Sequence, residues 1–264
     1  MFKLLLAACV PVVLLGYAWL VEPYRVEVTE HTLTEAGSTQ DSIRVVQLSD
    51  LHLNAVARRE QSVAQKVSEL APDLIVLSGD VIDRADRLDV LDEFLSLIGP
   101  AQKVAVLGNW EHWSRTDLKA LRSLYEDRHG VRLLVNAVAD FRLGKRELRV
   151  FGLDDFTAGD ADISVLHQAE PSMPSMVIQH SPGWFQTEAI MAEKGRFTLC
   201  LAGHTHGGQV TLFGTAIWKP PGSGDFSAGR YEHPMCPIHV SRGIGTSLLP
   251  LRFGARPEIA VFDL

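Results

Sequence analysis

One spacing constrains the fold more than anything else in the chain. Three apolar runs each end in a residue that can hold a cation. Ile43 to Leu48 runs into Ser49-Asp50-Leu51-His52, Asp73 to Ser78 into Gly79-Asp80, and Lys103 to Leu107 into Gly108-Asn109. Asp50, Asp80 and Asn109 stand 30 and 29 positions apart, the length of one strand-helix-strand unit. Between them the apolar residues take helical spacing. Val63, Val67 and Leu70 predict a helix over 58–70; Leu91, Phe94, Leu95 and Ile98 predict another over 88–98. Pro72 and Gly99-Pro100 close them. A third helix is expected over 116–128. Right-handed crossovers put all three strand ends on one edge of a sheet, the edge where open α/β sheets bind ligands.

The pattern changes after Val131. Val131 to Val135, Ala137 to Leu143 and Glu147 to Phe151 are short, β-like and closely spaced, with a turn at Gly144-Lys145. They predict an antiparallel or mixed sheet. Met176 to Gln179 then leads into His180, and Phe197 to Ala202 into Gly203-His204-Thr205-His206-Gly207. Residues i and i+2 of extended chain point the same way, so His204 and His206 can face one site. Short helices are expected over 163–168 and 184–194. Tyr24 to Thr29 reads as an edge strand, 37–42 as a turn, and Pro237 to Val240 and Glu258 to Phe262 as closing strands. Thr215 to Pro234 reads as a long surface loop whose Trp218-Lys219-Pro220-Pro221 could make an acyl or membrane contact.

The 264 residues are 46% hydrophobic with a formal charge of −7. That length supports one large domain, and no linker marks a second. The acidic balance argues against nucleic acid as a partner. Cys200 falls in an expected core strand and Cys9 in the N-terminal apolar stretch, so the cysteines, with Cys236 the third, imply no disulfide framework. Leu4 to Val21 runs eighteen residues without a charge. We read 1–22 as an uncleaved single-pass transmembrane anchor and 23–264 as the catalytic domain; a cleaved signal peptide and lipidation at Cys9 are the alternatives. The expected location is a bacterial inner membrane, on a side that the flanking charges do not decide.

Any one of these strand ends alone would read as a turn or a helix cap. Five together offer two carboxylates, four imidazoles and an amide carbonyl, from Asp50, His52, Asp80, Asn109, His180, His204 and His206. That is too many for one tetrahedral zinc. It suits two divalent ions about 3.5–4 Å apart, bridged by a shared carboxylate. Oxygen and nitrogen donors without thiolate fit Mn²⁺, Fe²⁺ or Zn²⁺.

These residues resemble, in order and spacing, the five motifs of the calcineurin-like metallophosphoesterase superfamily: Asp50-x-His52, Gly79-Asp80-x-x-Asp83, Gly108-Asn109, His180 and Gly203-His204-x-His206. The resemblance covers about 43–264. The tail Ser241-Arg242-Gly243-Ile244-Gly245-Thr246 resembles the membrane-anchored bacterial branch, which includes phosphodiesterases and the pyrophosphatase acting on UDP-2,3-diacylglucosamine in lipid A synthesis. The resemblance implies a four-layer αββα sandwich of α/β class. It implies one metal on Asp50, His52 and His206, a second on Asn109, His180 and His204, Asp80 bridging them, and Asp83 orienting a neighbour. The implied reaction is hydrolysis of a phosphodiester or pyrophosphate, with a nucleotide-sugar lipid among the candidate substrates.

One position departs from the family. The metal-binding Asn is commonly followed by a His that protonates the leaving group; here it is followed by Trp110, which cannot. Asn109 and His112 are therefore taken as the candidate catalytic residues, with Glu111 as an alternative donor. If neither serves, the leaving group needs no acid, which favours pyrophosphates and activated diesters. The competing expectation is Trp110 and Trp113 as pocket wall with His112 on the surface. Arg242 is the candidate substrate-binding residue, with Arg252 and Arg256 as further possible phosphate or sugar contacts. A non-catalytic metal-binding scaffold of the same fold is the alternative function; it would be expected to have lost ligands, and all seven are present.

Overall fold

Val45 and Val46 are neighbours in sequence, and both are fully buried. Successive strand residues point to opposite faces, so this strand must be covered on both sides. The computed structural model describes residues 2–33, 42–170, 172–195 and 197–264 and shows how that is done.

In chain order the strands and helices are α1 (Phe2–Leu20), β1 (Glu27–Thr32), β2 (Arg44–Leu48), α2 (Arg58–Leu70), β3 (Leu74–Leu77), α3 (Leu88–Leu97) and β4 (Gln102–Ala105). Then come α4 (Asn109–Trp113), α5 (Leu118–Ser123), β5 (Val131–Leu133), β6 (Ala137–Leu143), β7 (Arg146–Gly152), β8 (Ser175–Ile178), α6 (Glu188–Met191) and β9 (Leu199–Ala202). The chain closes with β10 (Thr211–Leu212), β11 (Thr215–Ala216), β12 (Gly229–Tyr231), β13 (Ile238–Val240) and β14 (Glu258–Asp263).

Two six-stranded sheets form, ordered β1-β14-β2-β3-β4-β5 and β12-β13-β9-β8-β7-β6. In the first, β2, β3, β4 and β5 are parallel, and β14 runs antiparallel to β2. In the second, β7, β8, β9 and β13 are parallel, flanked by antiparallel β6 and β12. Val45, Leu74, Val76 and Val104 meet Phe141, Leu148, Val150, Met176 and Leu201 in the core between the sheets. The other face of the first sheet is covered by Val63 and Val67 of α2 and by Leu91, Phe94 and Leu95 of α3. Burying each such side chain contributes roughly 1.5–3 kcal/mol. The other face of the second sheet is covered by Val165, Leu166, Trp184, Phe185 and Ile190 from short helical turns. The layers are therefore helix, sheet, sheet, helix.

Gln47 sits fully buried between the sheets. Its Nε2 donates to Ser78 Oγ and to the Ala202 carbonyl, each at 2.9 Å. One side chain thus ties together the ends of β2, β3 and β9, the strands that lead into Asp50, Asp80 and His204.

Several expectations are corrected. Val131–Leu133 joins the first sheet, not the second. The helix expected over 116–128 is α5 followed by a wider helical turn over Leu124–Arg128, and α4 had no counterpart in the periodicity. The 215–234 loop contains β11 and β12. The turn expected at 37–42 lies, for residues 37–41, outside the described residues. Cys200 and Cys236 form a disulfide, 36 residues apart in sequence; β9 and β13 are adjacent strands, which local patterning did not reveal.

The expected transmembrane helix is also not supported. The segment is helical, but among the described residues no helix is long and apolar enough to cross a membrane. The end of α1 packs on the rest of the chain instead. The Ala18 carbonyl accepts from Arg252 N at 2.9 Å, and Tyr17 meets Phe253 edge-on at 6.5 Å. Glu22, 3% exposed, accepts from Ala255 N at 2.9 Å. Contacts therefore cross the boundary expected at residue 22.

Candidate metal centre

The ends of β2, β3 and β9 turn sharply to aim their ligand-type residues. Asp50, His52, Asp80, His204 and His206 all have φ between 43° and 70°, a region that non-glycine residues seldom occupy. Such conformations cost of order 1–3 kcal/mol each and cluster at functional sites. Gly79, at φ 95°, belongs to the same turn. A Cβ there would strike the His180 ring at 2.6 Å, so only glycine lets the β3 end lie against that histidine.

The turns bring two groups together. Ligand atoms of Asp50, His52 and His206 lie within 4.8 Å of one another, as do those of Asp80, His180 and His204. His206 Nε2 is 3.3 Å from Asp50 Oδ1 and 3.1 Å from His52 Nε2. Asp80 Oδ2 stands between the groups, 3.2 Å from His180 Nε2 and 3.8 Å from His52 Nε2. Asn109 Oδ1 meets His204 Nδ1 at 2.7 Å. All seven expected ligands are buried at this one place. Asp83 Oδ2 is 3.7 Å from His52 Nδ1, where it can orient that ring.

The donor set fits divalent ions. His180 Nδ1 lies 2.7 Å from the Ser78 carbonyl, an acceptor, so Nδ1 carries the proton and Nε2 keeps its lone pair. That buried Nε2 has no hydrogen-bond partner. His204 Nε2 likewise meets the Pro221 carbonyl at 2.7 Å, leaving a lone pair on Nδ1 opposite the Asn109 oxygen. That lone pair and the Asn109 oxygen are donors that a divalent ion beside them could take. Burial and then His52 hold the His206 pKa well below its usual value, which keeps it in the neutral ligand form. Burial resists charge on His180, yet Asp80 and Asp50 pull its pKa well up. The buried carboxylates demand positive charge, and a divalent ion can supply it in place of that proton.

Residues 110–112 divide their roles. Trp110 N donates to Asp80 Oδ1 at 2.8 Å. Its ring stands edge-on to His52 at 6.2 Å and to Trp113 at 5.7 Å. Glu111 points inward, accepting from Asp80 N, Val81 N, Ile82 N and Gly108 N at 2.7–3.2 Å. It clasps the Asp80 turn and cannot also reach a substrate. A Glu three residues after Gly108, placed to reach back to that residue's N–H at the start of a helical turn, was the available sequence signal. His112 Nε2 bonds Asp154 Oδ1 at 2.8 Å and does not line the cavity over the metal centre. The structure thus does not bring His112 to the site.

That cavity has a volume of about 500 Å³. Its floor is Asp80, Asn109, His204 and His206; its walls include Trp110, Trp113, Ile217, Trp218, Leu248 and Leu249. Among the described residues, neither Lys nor Arg lines it. Arg242 is paired with Glu27 at 2.9 Å and Glu258 at 3.4 Å and, with Arg256, lines a separate cleft. Arg252 is fully buried, donating to the carbonyls of Gly245, Arg242 and Ala255. None of the three expected arginines faces the cavity.

The family model for calcineurin-like phosphoesterases matches residues 43–208. The chain belongs to the calcineurin-like phosphoesterase family. It is similar to the uncharacterized metallophosphoesterase YkuE of Bacillus subtilis, 32% identical over 94% of this chain and 89% of that one. It is 27% identical to the phosphodiesterase YaeI of Escherichia coli, over 94% and 92% of the two chains. A transmembrane protein with metallophosphoesterase domain from Bos taurus is 26% identical over 89% of this chain and 55% of its own. This family member is a hydrolase that uses divalent metal ions.

Proposed function

We propose that the chain hydrolyses a phosphodiester or pyrophosphate whose leaving group needs no protonation, on a substrate with an apolar, acyl-type portion. The carrying observation is the pair of ligand groups meeting at Asp80 on the floor of an apolar cavity. Divalent ions bound there supply Lewis acidity and a nucleophilic water at neutral pH. Asp50, His52 and His206 would hold one ion, Asn109, His180 and His204 the other, with Asp80 between; Mn²⁺, Fe²⁺ and Zn²⁺ suit the donors. With no basic side chain among the described residues lining the cavity, the ions also carry the charge of the phosphoryl oxygens. Trp110, Trp113 and Trp218 exclude water and take apolar substrate, as in a nucleotide-sugar lipid such as UDP-2,3-diacylglucosamine.

Membrane association belongs to the same reading. Of the residues lining the cavity, Leu248 is 78% exposed, Ile217 66% and Leu249 60%, so the cavity mouth has an apolar rim. The name of the Bos taurus relative supports it, as does the eighteen-residue apolar stretch. A turnover screen of the metal-loaded chain tests the whole: short diesters, diacyl phosphodiesters and UDP-linked diacyl sugars, each with and without vesicles. The expected result is metal-dependent turnover with KM falling as acyl length rises. Turnover indifferent to acyl length would remove the lipid part; turnover indifferent to metal would remove the mechanism.

A further inference from the structure

A second set of metal-ligand side chains lies away from the cavity. His31 on β1, His239 on β13 and Glu258 on β14 each place one ligand atom within 4.8 Å of the other two. His239 is 2% exposed and Glu258 3%. His239 Nδ1, His239 Nε2 and His31 Nε2 are buried with no hydrogen-bond partner. A buried polar atom left unsatisfied costs about 1–3 kcal/mol, so three in one place require an explanation.

The rings are already held. Phe262 stacks on His31 at 5.2 Å and meets His239 edge-on at 5.1 Å. Glu258 is oriented by Thr29 Oγ1, donating to Oε1 at 2.7 Å, and by Arg242 N, donating to Oε2 at 2.9 Å. Arg242 Nη2 also lies 3.4 Å from Oε1, but Glu27 is its nearer partner at 2.9 Å. Burial, then His239, lowers the His31 pKa, which favours the neutral ligand form.

We propose that His31, His239 and Glu258 bind a further divalent ion, of zinc type, that clasps the first sheet to the second. Zinc bonds of about 2.0–2.1 Å at tetrahedral angles set ligand atoms roughly 3.4 Å apart. His239 Nε2 and Glu258 Oε2 stand at 3.7 Å, a short closing movement away. A void of about 10 Å³ beside His31 and His239 offers room for a water as fourth ligand. With β1 and β14 in one sheet and β13 in the other, the ion would join strands already linked by the bonds of Arg242, just after β13, to Glu258 and Glu27. Its role is structural: none of the three residues lines the catalytic cavity.

The test uses the full chain, stripped with a chelator, reloaded with excess Zn²⁺ and desalted. Metal per chain is measured by elemental analysis for wild type, His31→Gln and His239→Gln. Each variant should hold one ion fewer than wild type, and zinc should raise the wild-type Tm more than theirs. Turnover of a short diester under saturating metal should be unchanged. Equal metal content in wild type and variants overturns the proposal and leaves a histidine–glutamate ion pair. If His239→Gln does not fold, His31→Gln on the half-buried edge strand decides alone. Only the difference between proteins is read, so the result is independent of how many ions the catalytic centre holds.

Discussion

His112 stands three residues after a metal-ligand asparagine, yet its side chain ends on Asp154. The short helix α4 explains the division. Trp110 and Trp113, three apart, share the face toward the cavity, while Glu111 turns into the protein. Two outcomes follow. In His112→Ala the ratio of alkyl to aryl ester turnover should stay at its wild-type value, because no proton donor has been removed. The variant should lose about 1 kcal/mol of stability, the usual worth of one such hydrogen bond. That loss has a pH signature. The bond to Asp154 raises the His112 pKa above its ordinary 6.5. Burial raises Asp154, but the bond and charge of His112, together with the backbone N–H groups of Asp160 and Asp155, outweigh it and hold Asp154 below its ordinary 3.8. The histidine's contribution is complete below 6.5 and lost as pH rises through the folded value; the aspartate's is complete above 3.8 and lost as pH falls through its folded value. Denaturation midpoints should therefore separate wild type from variant more at pH 5.5 than at pH 8.5 (pH values about these, chosen to bracket the histidine), and an equal gap at both would show that the pair does not titrate this way. The converse substitution, Trp110→His, puts a donor on the cavity wall. It should speed alkyl esters selectively, by up to roughly 10²-fold if the acid is well placed; a parallel change on aryl esters would mean that only the wall had been altered.

At the scale of elements, what was legible follows from periodicity. The helix over 58–70 and the parallel order of β2, β3 and β4 could be read because strand and helix periods differ and each unit is local. The ligands were legible because each sits at a strand end, and three of those ends repeat at one spacing. The disulfide was not, because it depends on β13 lying beside β9 across 36 residues of chain. Nor was the burial of Arg252, whose carbonyl partners come from a loop without period. The cavity walls escaped for the same reason: Trp218 and Leu248 are distant in sequence, and neither falls on a repeating face. The disulfide carries a simple prediction. Of three cysteines, only Cys9 should react with a thiol reagent in denatured, unreduced protein, and all three after reduction. Reduction should also lower stability by about 2–4 kcal/mol. Three reactive thiols before reduction would show the Cys200–Cys236 bridge to be absent.

For the whole molecule, the question is where the N-terminal segment ends and the catalytic unit begins. The sequence places that boundary at residue 22, where the apolar stretch stops. Contacts from residues 17, 18 and 22 cross it. Arg252 N bonds the Ala18 carbonyl, Tyr17 packs on Phe253, and buried Glu22 accepts from Ala255 N. The 252–255 segment they hold is joined to the site, since Phe253 N donates to the Gln209 carbonyl at 2.9 Å and Gln209 lines the cavity. Residues 11–15, by contrast, are all exposed, with Val12 70% and Val13 66% open. Two truncations separate the roles. Removing 2–15 leaves Tyr17, Ala18 and Glu22 in place; that chain should keep wild-type Tm and turnover of a short diester, and, on the proposed membrane association, should bind phospholipid vesicles less than the full chain does. Removing 2–22 also strips a buried carboxylate from Ala255 N and a carbonyl from Arg252 N. Leaving two buried donors unsatisfied costs about 1–3 kcal/mol each, so the Tm should fall by several degrees and turnover should fall with it as the 252–255 segment loosens beneath Gln209. If both truncations match wild type in Tm and turnover, the α1 contacts contribute nothing to the catalytic unit and the boundary belongs at residue 22 after all. If removal of 2–15 leaves vesicle binding intact, the apolar rim around Ile217 and Leu248 holds the membrane without the helix.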